Sequence, residues 1–309
     1  MSDLNEISTI ARGETARALK GGRVVVLAVL FLLFTALALS IVGYFNYQMN
    51  AQVKLSGGDP DAMAQGGEQN LSGKKQFLSF VFTNDPLLLD ALVALPLVLL
   101  VVFKLAMRFL PLFVALMGFD QISGDVGPKS IRYLVVRVKR SSIVAGKFLA
   151  QGIVLAGLLV LSTLAMVGVA KWLNADFGWG FAATTALKLV GASLALAVAY
   201  LGLSTLCSAV TRQASVSLAA NIILLFVIWF LAFLGEAFRL PGQQAAMGTL
   251  EQLKTESAFA YLRFASVWHY GEDLLHPHLP RFFGAALVHV GWACIFLGLA
   301  NLMLRRRDL

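Results

Sequence analysis

The chain has 309 residues, 58% of them hydrophobic and 14% charged, with mean hydropathy +0.77 and formal net charge +8. Soluble domains carry about a quarter charged residues, so this composition excludes an ordinary soluble protein and points to an integral membrane protein. Two cysteines, Cys207 and Cys294, both inside apolar runs, give neither a disulfide framework nor a metal cluster.

The first 23 residues place Leu4, Ile7, Ala11 and Ala18 roughly on one face, flanked by Arg12, Arg17 and Lys20. They read either as an amphipathic helix lying in the interface or as a positively charged tail. Asp3, Glu6 and Glu14 interrupt the stretch and the run after Arg23 is of spanning length, so no cleavable signal peptide is expected. Six segments then reach the roughly 20 mainly apolar residues a spanning helix needs: 24–44, 88–119, 148–170, 181–206, 215–234 and 282–304. The expected fold class is all-α, a polytopic membrane protein with six transmembrane helices forming one transmembrane domain over 1–309.

Positive charge sets the orientation. Fourteen Lys/Arg fall on the side of the N-terminus and eight on the other, and the eight are spread over about twice as much chain. Both termini are therefore expected to be cytoplasmic. The external segments are 45–86, rich in Gly, Asp, Gln and Asn, and 235–280, where Leu250, Leu253, Ala260 and Phe264 recur at near-helical intervals and suggest a short surface helix.

Lys104 and Arg108 lie four apart within the second span and share one helix face. A buried cation marks a pathway or a partner, whereas a shorter crossing would place the pair at the outer interface; both readings stay open. No Asp or Glu lies deep in spans three to six, which leaves a proton- or ion-coupled carrier without its relay.

"GDVGPKS" and "SSIVAGKF" imitate a phosphate-binding loop, but Pro128 replaces the glycine before Lys129, and Gly146-Lys147 lacks the following Ser/Thr. No nucleotide site, catalytic residue or cofactor is expected. "WHYGEDLLHPH" gathers His269, His276 and His278 with Glu272 and Asp273, yet without the spacing of dedicated metal ligands. The positive charge follows topology and forms no basic face for nucleic acid.

Between spans two and three runs "FDQISGDVGPKSIRYLVVRVKRSSIVAGKF", with six Lys/Arg and two Asp. Ile131, Leu134, Val135 and Val138 follow an i, i+3, i+4, i+7 stripe. The segment 119–147 therefore reads as a short amphipathic helix whose stripe rests on the bundle. A simple inside-positive anchor would explain the basic residues, but not Asp120, Asp125 or the Gly127-Pro128 break.

At this segment the chain resembles the membrane subunits of type-2 ABC transporters. The resemblance is carried by Gly124-Asp125, Ser130-Ile131-Arg132-Tyr133-Leu134, Val138-Lys139-Arg140 and Gly146-Lys147, with seven positions from Arg140 to Lys147. Lys129 and Arg137 depart from the family's usual Gly and Pro. The six-span layout and the Arg-rich ending extend the likeness over essentially the whole chain. It implies a permease subunit, one of a homo- or heterodimer, in the cytoplasmic membrane of a prokaryote and served by a separate cytoplasmic ABC ATPase. In that reading 1–23 is an elbow helix and 119–147 a coupling helix seated on the ATPase. Asp120, Gly124, Asp125, Ser130, Ile131, Arg132, Leu134, Arg140 and Lys147 would carry the coupling, and Lys104 and Arg108 would line a pathway. An exporter is the first expectation; a non-transporting anchor or mechanical relay driven by the same ATPase is the second. Substrate identity is not encoded in any motif found here.

Overall fold

A computed structural model describes residues 3–55, 68–82, 85–128, 130–173, 178–238 and 258–306. Among the described residues the chain is helical throughout, with no strand. In chain order the helices are α1 (Asp3–Lys20), α2 (Gly22–Leu55), α3 (Glu68–Val81), α4 (Pro86–Val93), α5 (Leu97–Gly118), α6 (Ser123–Val126), α7 (Ile131–Arg137), α8 (Arg140–Leu173), α9 (Trp179–Val210), α10 (Ala214–Ala237), α11 (Leu262–Ala265) and α12 (Leu279–Arg305). Five stretches are long and apolar enough to cross a membrane, including Leu97–Val126 as one unit. Asp3–Lys20 and Val24–Ser40, joined at a bend of 68°, make a sixth when the pair is counted as one. The molecule is an all-α polytopic membrane protein.

The hub is α9, which packs against α5, α8, α10 and α12. Its composition explains the position: Gly, Ala and Ser let neighbouring backbones approach. A Cβ on Gly202 would lie 3.0 Å from the Cα of Ala293 in α12, so the contact requires glycine. By contrast α10 turns Ile222, Ile223, Phe226 and Phe233 outward, as a lipid-facing helix does.

The run 88–119 is not one helix. The chain breaks at 94–96, α4 ends at Ala94, and Pro96 precedes α5. Proline removes an N–H and disfavours helix at the residue before it, so a hydropathy run without a polar interruption still divides. The released carbonyls of Val93 and Leu95 accept hydrogen bonds from the Lys74 ammonium at 2.6 and 2.8 Å. Burial lowers the pKa of that lysine.

Of the segment 235–280, Leu250 and Leu253 lie outside the described residues. The part from 258 onward forms no single helix: short turns at Ala258–Tyr261, Leu262–Ala265, Val267–Gly271 and Asp273–Leu275 fold back onto the bundle. Ser266 interrupts them with extended backbone. Its hydroxyl donates to the Ile228 carbonyl of α10 at 2.7 Å and accepts from the Trp268 N–H at 3.2 Å. Val267 and Leu274 are buried beneath this cap.

Candidate functional site

Three parts of the chain converge at one end of the bundle: α1, the 119–140 segment and the C-terminal end of α12. The turn after α5 is held by a serine. Ser208, on α9, accepts from the N–H groups of Ile122 and Ser123 at 2.9 and 3.0 Å, which supplies partners for two backbone donors where the chain re-enters helix as α6. Gly127-Pro128 follows, and Ser130 donates to the Asp125 carbonyl at 3.1 Å.

Helix α7 then lies across the bundle end. Ile131 is fully buried among Ile122, Val144, Ala209, Ala300 and Leu304, with Val135 packed against the same cluster. Leu134 is half-buried. Ile131 and Val135 of the stripe thus rest on the ends of three spanning helices, whereas Val138 falls past the end of α7 in extended backbone. Arg132 lies in α7, and its side chain falls outside the described residues. The opposite face presents Tyr133 and Val136, 81% and 87% exposed, together with Arg137.

Two of the basic residues are turned inward. The Arg140 guanidinium donates to the carbonyls of Leu304 and Arg305 at 2.8 and 2.6 Å, capping the C-terminus of α12, where cations are favourable. Lys147 is 4% exposed at its side chain, with its ammonium 2.6 Å from Asp125 Oδ2 and 2.9 Å from Glu14 Oε1. Burying a lone ammonium is expensive, and here two carboxylates from two different elements compensate it. One lysine therefore ties α1, α6 and α8 together.

The glycine before it has a physical reason. A Cβ on Gly146 would lie 2.7 Å from both Cβ and Cγ2 of Ile10. Only glycine lets α1 lie against α8 at this separation. The face of α1 in use is Ile7, Ile10, Ala11 and Glu14, whereas Leu4 is 77% exposed. Asp3 reaches Lys139 at 2.6 Å, an exposed pair that raises the lysine pKa through its hydrogen bond and charge. Residues Asp3–Lys20 thus form a helix packed on α8.

In the bend between α1 and α2 lies a cavity of about 290 Å³ lined by Asp120, Gly124, Asp125 and Lys147 among others. Glu14, Ile10 and Gln121, which sequence reading passed over, belong to this region. Only the position of Glu14 beside Arg17 at helical spacing hinted at more than a surface charge.

Lys104 and Arg108 sit toward the opposite end. The Lys104 ammonium pairs with Glu272 and lies 4.7 Å from the Phe82 ring centroid, and Arg108 stacks over Trp268 at 5.0 Å. Both cations face the folded cap 258–278. Of the histidines, His276 lies 3.4 Å from Asp85 and against Arg281, while His289 is buried in α12. No group of three or more metal-ligating side chains occurs among the described residues.

A family model described as "ABC-2 family transporter protein" matches residues 8–309. The chain belongs to the ABC-2 transporter family. Membership makes it a membrane permease component of an ABC transporter, a kind of subunit that generally works with an ATPase. Curated proteins give no match to it. In this ABC-2 chain the family-like residues divide into two sets: Asp125, Arg140, Gly146 and Lys147 hold the bundle end together, while α7 carries the outward face.

Proposed function

We propose that the protein is the permease subunit of an ATP-driven exporter, paired with a second permease subunit and energised by separate cytoplasmic ATPase subunits. The observation that carries this reading is the outward face of α7, apolar and exposed at the end where α1, α12 and most of the basic residues gather. The charge asymmetry supports placing that end in the cytoplasm of a prokaryotic cell, with both termini inside. The chain itself performs no hydrolysis: the sequence lacks a phosphate-cradling loop.

Coupling then works by leverage. An ATPase cleft grips Tyr133, Val136 and Arg137; its closure moves α7, and the buried stripe passes the displacement to α9 and α12. Lys147 moves α1 and α8 with it. Asp120, Gly124, Asp125, Ser130, Ile131, Leu134, Arg140 and Lys147 act as the frame of this lever, and the contact surface is the other face. Lys104 and Arg108 act as fastenings for the external cap and not as pathway cations.

The test is co-purification of the ATPase with the intact chain and with Tyr133→Asp/Val136→Asp. Loss of the ATPase from a variant that stays folded supports the reading; full retention overturns it. ATP-dependent movement of cargo in inverted vesicles separates exporter from mechanical relay.

A further inference from the structure

The side of α1 turned away from Glu14 and Lys147 opens onto a groove of about 650 Å³. Leu4, Ile7, Ala11 and Leu19 line it from α1, and Leu149 and Ile153 line it from α8. Its volume falls within the roughly 300–1,000 Å³ of small-molecule sites. Leu4, Leu19, Leu149 and Ile153 all stay exposed, so nothing among the described residues covers these walls.

The two walls differ in character. With Arg12, Glu14, Arg17 and Lys20 in its second half, α1 is too charged to enter hydrocarbon, and it bends by 68° away from Val24–Ser40. A helix of this kind lies at the membrane surface. In contrast α8 is of spanning length, and its Leu149, Ile153, Val160 and Leu164 are exposed on one side of the helix. The groove is therefore the head of an outward apolar stripe that runs on into the membrane.

The charge at its mouth has one sign. Arg12 is the one charged side chain among the lining residues, and no carboxylate stands with it. Its basic neighbours are engaged: Arg17 pairs with Glu14, Lys139 with Asp3, and Lys147 with Glu14 and Asp125. Arg12 makes no hydrogen bond or ion pair among the described residues, and neither does the Ser8 hydroxyl. The two are four positions apart and so share one helix face. Thr15 adds no donor, because its hydroxyl is given to the Ala11 carbonyl at 2.7 Å.

We infer that the groove between α1 and α8 is a binding site for an anionic phospholipid of the leaflet on that side. The phosphate meets the Arg12 guanidinium and the Ser8 hydroxyl, and one acyl chain follows Leu149 and Ile153 down the stripe of α8. A zwitterionic headgroup would bring its own ammonium beside Arg12, where no carboxylate of the groove receives it. The inference is independent of the coupling scheme and of the cargo.

Native mass spectrometry of the full-length chain, titrated with phosphatidylglycerol and phosphatidylethanolamine of equal acyl length, tests it. The expected result is retention of phosphatidylglycerol over phosphatidylethanolamine by about five-fold, the effect of one basic side chain close to a membrane surface. Arg12→Gln should bring that ratio to about one. Lys20→Gln removes the same charge from α1 outside the groove and should leave the ratio near five. Equal retention of the two lipids by the wild-type chain overturns the assignment, as does an equal loss of preference in both variants. Retention by the monomer but not by a dimer would show that a second copy covers the groove, and would also overturn it. Displacement by glycerophosphoglycerol, the headgroup without acyl chains, at similar concentration would make the ligand a soluble phosphate and overturn the lipid assignment. Thermal unfolding checks the variants; if Arg12→Gln does not fold, the wild-type comparison and Lys20→Gln decide.

Discussion

Lys147 and Asp125 are 22 positions apart in the chain and 2.6 Å apart in space, with Glu14 completing the contact from the first helix at 2.9 Å. The lysine is buried and the carboxylates are 21% exposed at their side chains, so the cost of the cluster falls on the cation. Removing one carboxylate leaves the ammonium one partner; removing both leaves a buried uncompensated charge. Asp125→Asn and Glu14→Gln alone should each destabilise mildly, by about 1 kcal/mol. The double variant should lose more than the sum, approaching the roughly 3–5 kcal/mol of a broken buried pair. A double-mutant cycle on thermal unfolding in detergent measures the coupling, and strict additivity would show that the two acids act separately.

Close approach gives a second expectation. The hydrogen of Gly146 points at Ile10, and a methyl group there would stand 2.7 Å from two of its carbons. Gly146→Ala should cost about 1–3 kcal/mol, the range for overpacking a fitted contact, by forcing α1 off α8. Ile10→Gly removes both of those carbons and should restore part of the loss when combined with it, less the roughly 1 kcal/mol that glycine costs inside a helix. Limited proteolysis within 1–23 reads the same event locally: cleavage rises in Gly146→Ala and falls back in the pair. A pair whose destabilisation equals the sum of the two single variants would place the strain elsewhere.

Arg140 and α7 separate folding from docking. Arg140 makes two charge-assisted bonds to the last carbonyls of α12, each worth about 1.5–3 kcal/mol when a charged group is involved, less where exposed. Arg140→Gln should therefore lower the thermal midpoint while any folded fraction still binds the ATPase. Tyr133→Asp and Val136→Asp should do the reverse, leaving the midpoint within about 0.5 kcal/mol, as expected of exposed positions, and abolishing co-purification. If Arg140→Gln loses the ATPase at an unchanged midpoint, the cap is not its main role.

How much of this was legible depends on the range of the signal. The α7 stripe was in large part, because Ile131, Leu134 and Val135 repeat at the helical period within five residues and one face must be buried wherever the segment lands; Val138, its fourth member, lies beyond the helix end. The apolar runs followed from hydropathy for the same reason, and among the described residues they give five spanning stretches, or six with the bent α1–α2 pair. The division of 88–119 was not, since both sides of the 94–96 break are equally apolar and only Pro96 marks it. The partnership of Lys147 with Glu14 spans 133 positions, and nothing local to either residue announces the other. The resemblance assigned Asp125, Arg140 and Lys147 to the coupling. The structure adds the contacts that each makes within the chain, which charge and spacing alone do not announce.

The opposite end of the molecule offers the last expectation. Asp85 receives the Leu87 N–H at 3.0 Å as the N-cap of α4 and pairs with Arg281 at the start of α12. Burial works to raise its pKa, but Arg281 and the backbone donors outweigh it, and the carboxyl is held below its ordinary value. A depressed carboxylate contributes stability that is fully present above its unfolded pKa, about 3.9, and is lost as pH falls through the lower folded value. Asp85→Asn should therefore lower stability at neutral pH and make little difference in strong acid, where the wild-type carboxyl is protonated as well. Glu272→Gln tests whether the pairing with Lys104 fastens the cap independently. Hydrogen exchange across 266–275 should rise in Glu272→Gln at neutral pH while exchange in α4 stays unchanged. Faster exchange in both segments from either substitution would mean that α4 and the cap open as one unit, with Asp85–Arg281 and Lys104–Glu272 as two halves of a single clasp.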